Sequence, residues 1–476
     1  MNRKLIVALL PILGLIGLFS LSSFFEPQNR IDERPFDEPA PDISYRSQSK
    51  QSTKNGLVRL STGLQNDFYT QQKNEGFFYV EIEADQYSNR NVVRPPMNLS
   101  VVIDRSGSMS GEKIRNAKEA AKHIVDNLNN EDYLSIIIYD QSVTTLHSQS
   151  PVRNKMSIKN KIDGIRERGA TNLMGGAMRG YEEVNEYYKS GYINRVLLLS
   201  DGLANEGITD PRKIKSIIQG KFKEENIAIS TFGVGNDYNE DLMTAMAENG
   251  NGNYYFIEKP TEIASIFRKE LNGLKEVVAQ NTMLTIRVSD EISVDKVYGY
   301  SHTQRGNKIT VKLNDIFNKE TKGILMKYHV KRNNTPNKIS FTTSLNYQLA
   351  SNKRNQNLGL RNTQKFTNRA EVYNKHFSEW VDAQVVLNET NYKMELAMQA
   401  IDKGDYSRGR DMVKETKIYI KSKSHLVNTS EELRKAQEAN TSYESELADI
   451  EMRSESEKKY IQKANKSTNY KLRRKK

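Results

Sequence analysis

Across residues 97–272 short apolar runs recur at regular intervals. Leu99–Ile103, Leu134–Tyr139, Val196–Leu199, Ile227–Phe232 and Tyr254–Ile257 are apolar or β-branched segments of strand length. Helical stretches lie between most of them: Glu112–Leu128, Gly175–Tyr188 and Pro211–Glu225. The last opens with Asp210 as N-cap and Pro211 at the first helical position. Val143–Leu146 follows Tyr139 too closely for a crossover, so it reads as an antiparallel edge strand. This alternation predicts an α/β fold: a doubly wound, mostly parallel sheet with helices on both faces.

The flanks follow other periods. Phe78, Val80, Ile82 and Ala84 alternate with Tyr79, Glu81 and Glu83, which predicts a strand within an N-terminal β segment, 56–96. After the α/β domain the helices stop, and Leu284/Ile286/Val288, Ile309/Val311/Leu313 and Met326/Tyr328/Val330 read as strands. They predict an antiparallel β module over 276–350. If the strand near Phe78 joins it, the α/β domain is an insertion between β segments. Asn-rich residues 351–364 read as a linker, and 365–476 as a C-terminal helical region. There Met394, Ala397, Ala400 and Ile401 make one apolar face, Lys403-Gly404-Asp405 a turn, and Met412, Val413 and Tyr419 mark a second helix. Thr429-x-x-Glu432 has the form of a capping box for a third helix. One such hairpin cannot stack as a repeat, so packing onto the β module or self-association is expected. Trp380, beside Phe377 and Val381, is expected to anchor this region. Beyond Ala448 the chain looks too polar to bury much and is expected to fray.

Composition narrows the setting. The chain has 476 residues, 37% of them hydrophobic, which is enough for more than one core. It has no cysteine, so disulfide scaffolds, zinc fingers, iron–sulfur clusters and thiol catalysis are excluded. Arg3 and Lys4 precede the uncharged run Leu5–Phe25, the pattern of an export signal that is also long enough to span a bilayer. Residues 1–25 are therefore expected to be a signal peptide or membrane anchor that places the rest of the chain in the cell envelope, periplasmic or extracellular. Residues 26–55, with Pro27, Pro35, Pro39 and Pro41 among charges and serines, read as a linker. The net charge of +12 is concentrated at the far end, where nine Lys or Arg after Glu457 face that one acid. Such a tail is either a solvated end or a means of attraction to an anionic membrane or polysaccharide; nucleic acid is not expected for an exported chain.

The candidate chemistry lies where strands end. Leu99–Ile103 runs into Asp104-Arg105-Ser106-Gly107-Ser108-Met109-Ser110, with oxygen side chains at i, i+2 and i+4. Val196–Leu199 runs into Ser200-Asp201-Gly202. In doubly wound sheets the crevice at the carboxyl ends of adjacent strands is the default ligand site. The loop Gly169-Ala170-Thr171-Asn172-Leu173-Met174-Gly175-Gly176 can bring Thr171 over it. Two carboxylates and the hydroxyls form an all-oxygen set suited to Mg²⁺, or to Mn²⁺ or Ca²⁺. Two carboxylates at most balance a divalent ion, which leaves it Lewis-acidic toward an outside anionic oxygen. Taken alone, Asp-x-Ser-x-Ser also reads as a turn whose aspartate caps the helix at Glu112.

Asp104-x-Ser106-x-Ser108, then Thr171, then Asp201 resemble the metal-ion-dependent adhesion site of the von Willebrand factor type A (VWA) family, over about residues 97–272. The resemblance implies that Asp104, Ser106 and Ser108 hold the ion directly or nearly so. It implies that Thr171 varies with state and that Asp201 acts mainly through water. The flanks, with Lys296-Val297-Tyr298-Gly299-Tyr300 and Lys403-Gly404-Asp405-Tyr406, are similar to those of exported bacterial proteins that pair this domain with a β module and a helical tail.

Other chemistries lack their motifs. Gly233-x-Gly235 has no third glycine opening a helix, the six histidines are scattered, and no G-x-S-x-G or P-loop occurs. The leading expectation is a non-enzymatic, metal-dependent binding module for a protein that presents an exposed Asp or Glu. A second is an envelope scaffold acting through its helices and tail with no functional metal. A Mg²⁺-assisted hydrolase ranks third, because no general base or second metal ligand set is apparent.

Overall fold

The alternation around Phe78 builds a strand, and neighbouring segments add three more. In the computed structural model, which describes residues 43–86, 94–331 and 335–474, these are β1 (Gln51–Asn55), β2 (Val58–Leu64), β3 (Phe68–Tyr69) and β4 (Glu75–Ala84). The first linker is thus shorter than expected: Gln51–Asn55 pairs antiparallel with β2. The proposed export segment lies outside the described residues. Among the described residues no helix is long and apolar enough to cross a membrane.

The α/β part follows in order: β5 (Met97–Asp104), α1 (Glu112–Asn127), β6 (Tyr133–Tyr139), β7 (Val143–Pro151), α2 (Lys155–Asp163), α3 (Leu173–Glu186), β8 (Ile193–Ser200), α4 (Pro211–Glu225), β9 (Ala228–Val234), α5 (Glu240–Asn249), β10 (Asn251–Ile257) and α6 (Ile263–Lys275). The strand order is β10-β9-β8-β5-β6-β7. All neighbours are parallel except β7, the antiparallel edge. Every residue of β5 and β8 is buried, as strands covered on both faces require. Leu99, Val101 and Ile103 pack beneath α1 and α6. Val102, Val196 and Leu198 pack beneath α3, α4 and α5. Helix α3 lies unusually close to the sheet: a Cβ at Gly180 would stand 2.7 Å from Val102 Cγ2. Asp210 caps α4 as expected, accepting from the Lys213 N–H.

The chain then returns to strands: β11 (Val277–Val288), β12 (Ile292–Tyr298), β13 (His302–Arg305), β14 (Lys308–Phe317), β15 (Thr321–Val330), β16 (Lys338–Leu349) and β17 (Asn355–Phe366). They form two sheets, β1-β2-β4-β15-β12 and β13-β14-β11-β16-β17-β3. Their inner faces share one core, in which Phe78 stacks on Phe341 with ring centroids 4.8 Å apart. The α/β part is therefore inserted between β4 and β11 of a β-sandwich. The expected linker 351–364 is corrected, since Asn355–Phe366 is a strand paired along its length with β16. Its polar residues are inward bridges: Asn362 accepts from the Thr62 hydroxyl at 2.7 Å, and Gln364 accepts from the Tyr328 hydroxyl at 2.9 Å.

The helical region comprises α7 (Ala370–Asn374), α8 (Glu379–Asp402), α9 (Tyr406–Ser422), α10 (Ser424–Thr429), α11 (Glu431–Leu447) and α12 (Glu455–Arg473). Trp380, Val381 and Val385 of α8 pack on Tyr79 and Leu325, which lie on the outer face of the five-stranded sheet. The cap of α11 is Ser430, which accepts from the Leu433 N–H, and not Thr429. The largest correction concerns the end of the chain. Residues 455–473 form a continuous helix with a capping box at Ser454 and Glu457. This helix is wedged between the α/β part and the other helices. Tyr470 is buried in the α/β core and accepts from the Tyr254 N–H at 3.2 Å. Lys463, 3% exposed, pairs with Glu240 and donates to the Tyr238 carbonyl at 2.6 Å. Lys466 meets Glu240 at 2.8 Å, Asp241 at 3.0 Å and Asp402 at 2.6 Å. Arg473 meets Glu248 at 2.5 Å. Much of the basic tail is thus engaged inside the molecule, which removes those charges from any role as a free anion-seeking end.

Candidate metal centre

The register of three parallel strands gathers the site. Ile103 of β5 stands beside Leu199 of β8, so Asp104 and the Ser200–Asp201 step leave the sheet at the same edge. Each Asp104 oxygen has one donor. The Ser106 N–H reaches Oδ1 at 2.8 Å, and the Ser200 hydroxyl reaches Oδ2 at 2.7 Å. The chain then makes a short 3₁₀ turn, Gly107–Met109, before α1. The N-cap of α1 is Gly111, with no side-chain cap. The helix-capping alternative for Asp104 is therefore not what is found.

Two serines and the second aspartate complete one cluster. The Ser106 and Ser108 hydroxyl oxygens are 3.1 Å apart, and the Ser108 hydroxyl donates to Asp201 Oδ1 at 2.7 Å. Thr171 arrives on a loop fastened at both ends. Gly169, at φ +73°, accepts the Gly107 N–H at 3.1 Å, and the Thr171 N–H donates to Asn205 Oδ1 at 2.8 Å. A Cβ placed on Gly202 would lie 3.3 Å from Thr171 Oγ1 and 3.5 Å from Ser108 Oγ. All five residues singled out in the sequence are brought together, and the strand-end glycine keeps the space between them clear.

Four contributors were not legible in advance. Ser200 and Asn205 orient Asp104 and Thr171. Lys113, in the first turns of α1, places its ammonium 2.5 Å from Asp201 Oδ2. Asp140, at the end of β6, accepts from Arg105 at 2.7 Å and from Arg168 at 2.9 Å, tying the Asp104 loop to the Thr171 loop. Burial raises the Asp140 pKa, but Arg168, Ser142 and Arg105 prevail and hold it at about 2. No periodicity rule marks these residues, because each acts across the fold.

Asp104 is the opposite case. It is fully buried and has no ion-pair partner among the described residues. Burial pushes its pKa up to about 6 against the hydrogen bonds from Ser106 and Ser200, with the Asp201 charge adding to the rise. A buried carboxylate without a counter-charge beside three hydroxyls and a second carboxylate fits a hard divalent cation. Asp104, Ser106, Ser108, Thr171 and Asp201 would hold it. Bound there, the ion would supply Lewis acidity toward an incoming anionic oxygen.

A fold of this kind with oxygen donors at its strand ends defines a class, and comparison with known proteins identifies it. Residues 98–269 match the von Willebrand factor type A domain. The chain thus contains a VWA domain, flanked by the sandwich and the helices. Domains of this family bind a divalent metal at this constellation and commonly mediate protein interactions. The uncharacterized protein YfbK of Escherichia coli is 34% identical over 194 residues, 40% of this chain and 34% of YfbK. Rat inter-alpha-trypsin inhibitor heavy chain H3 is 32% identical over 233 residues, 45% of this chain and 25% of that protein. The chain thus spans about a third of the one curated relative and a quarter of the other. A von Willebrand factor type A protein from Catenulispora acidiphila superposes with a TM-score of 0.65 at 14% identity, covering 81% of this chain and 91% of that one. The ArnB paralog VWA2 from Sulfolobus acidocaldarius superposes at 0.63 and 18% identity, covering 88% and 99%. The fold shared with these two extends well beyond the VWA domain.

Proposed function

We propose that this chain is a divalent-metal-dependent protein-binding module displayed in the cell envelope, and that an acidic side chain of its partner completes the coordination of the ion. The observation that carries this reading is the buried, uncompensated Asp104 at the centre of five converging oxygen-bearing side chains. A role in binding rather than catalysis agrees with the use of those side chains: Asp201 is engaged by Ser108 and Lys113, and Asp104 by Ser106 and Ser200. Envelope display is supported by Arg3, Lys4 and the apolar run Leu5–Phe25. Mg²⁺ is the ion favoured by the all-oxygen set, with Mn²⁺ and Ca²⁺ as alternatives.

Titration of the purified chain with Mg²⁺ and Mn²⁺, with Asp104→Asn beside it, tests the metal. Retention of envelope proteins on the immobilised chain, with Mg²⁺ or with chelator, tests the bridging. The expected result is one divalent site lost in the variant, and partners released by chelator. The same partners held equally by wild type with chelator and by Asp104→Asn would overturn the reading.

A further inference from the structure

The edge of the sheet that carries the metal centre does not end at open solvent. Strand β9 is parallel to β8, so the turn that follows β9 lies at the same edge as Asp104 and Asp201. Lys113 joins the two places: its ammonium rests on Asp201, and its side chain passes 3.8 Å from a Cβ position at Gly235. Next to Gly235 a cleft of about 330 Å³ opens between this turn and the helical region. Its near wall includes Leu203, two residues beyond Asp201, and its far wall includes Tyr406 of α9 and Lys459 of α12. The cleft therefore lies beside the metal centre, with Leu203, close along the chain to Asp201, in its lining.

The chemistry of the walls selects an occupant. Charged side chains are present but already matched to one another: Lys463 with Glu240, Lys458 with Glu455 at 2.8 Å and Lys459 with Asp237 at 3.2 Å. A charged guest would have to compete with these pairs, whereas an apolar one leaves them in place. Leu203, in contrast, is 57% exposed, an apolar side chain in the lining of the cleft, and Tyr406 and Ile401 line it as well. The volume is that of a small-ligand pocket, large enough for one bulky side chain. The walls are fixed relative to each other by Lys463 and Lys466, which clamp α12 to α5.

We propose that this cleft is the second half of the binding surface. The partner is a polypeptide whose acidic residue goes to the metal and whose nearby bulky apolar residue enters between Leu203 and Tyr406. On this proposal, which rests on the metal-bridged reading above, the helical region sets specificity and the VWA domain supplies the anchoring ion.

The test uses the full chain and a phage-displayed library of random linear peptides with a fixed central aspartate, selected in Mg²⁺ and eluted with chelator. Enriched peptides are expected to carry an aromatic or large aliphatic residue at a constant offset from the aspartate. Leu203→Arg and, on the opposite wall, Tyr406→Ala are each expected to weaken them at least tenfold while Mn²⁺ affinity is unchanged. Metal-dependent peptides with no apolar preference, bound equally by both variants, would overturn the cleft and leave the metal reading intact. Peptides that bind regardless of chelator but lose affinity in Leu203→Arg would keep the cleft and overturn the metal bridge. A library that yields no binder overturns both.

Discussion

Lys113 Nζ stands 2.5 Å from Asp201 Oδ2, so one of the two carboxylates at the candidate metal centre carries a fixed positive neighbour. That ammonium repels a divalent ion at the same cluster while it neutralises Asp201 when no ion is bound. Lys113→Met is expected to raise Mg²⁺ affinity by roughly tenfold at low salt, read by calorimetric titration. Unchanged affinity would show that the lysine moves aside when the ion enters.

The two aspartates are expected to separate cleanly. Asp104→Asn keeps the shape and one oxygen but removes the buried charge, and Mg²⁺ or Mn²⁺ binding should fall below detection. Asp201→Asn should cost about ten- to a hundredfold, the usual range for a residue acting on the ion through other groups. Equal losses in the two variants would place both carboxylates directly on the ion.

Helix α12 is expected to be structural. Tyr470→Ala removes a side chain that fills the α/β core and should cost about 3 kcal/mol. Hydrogen exchange should report it first, as faster exchange along β10 and α12. Retention on anionic vesicles should scarcely change, because Lys463, Lys466 and Arg473 are held in internal ion pairs. Strong low-salt retention lost in a chain ending at Arg453 but kept in Tyr470→Ala would restore the picture of a free basic tail.

Acid should loosen the same clamp. Burial raises the Glu240 pKa, but the charges of Lys466 and Lys463 outweigh it and hold the group near 2, below its ordinary 4.5. A carboxylate lowered on folding contributes stability that is complete above about pH 4.5 and lost as pH falls toward 2. Urea unfolding of wild type should therefore weaken across that window more than unfolding of Glu240→Gln. Parallel pH profiles would show that the lysines gain nothing from the charged form of Glu240.

The α/β architecture was legible because its strands are apolar on both faces and separated by helices of ordinary length. Asp104, Ser106, Ser108 and Asp201 were legible because they sit at the ends of such strands, and Thr171 because its loop is bracketed by glycines. What escaped is polar and buried. Asn362 and Gln364 in β17, and Gln462, Lys463, Asn465 and Asn469 in α12, read as solvated positions, yet all lie inside the fold. Their partners, among them Thr62, Tyr328, Glu240 and the Asn391 carbonyl, are far away in sequence. Local hydropathy has no access to pairings of that range. Ser430 displaced Thr429 as a cap for a smaller reason: Thr429 is the last residue of α10, and only Ser430, one residue on, has the extended backbone a cap needs.

The insertion of the VWA domain between β4 and β11 also dictates an order of events during synthesis. Asn74, just before β4, donates to the carbonyl of Val330, 256 residues later. The ribosome must therefore deliver the entire α/β domain before β4 meets β15. At typical elongation rates of about 5–20 residues per second, that interval lasts on the order of ten seconds to a minute. Throughout it, Val58, Leu60, Phe78, Val80 and Ile82 have no opposing sheet, and the side of β4 destined for β15 is an unpaired strand edge. The stretch from β2 to β4 is thus the part of the new chain that waits longest for its partners, and a holding chaperone has the longest opportunity to act on it.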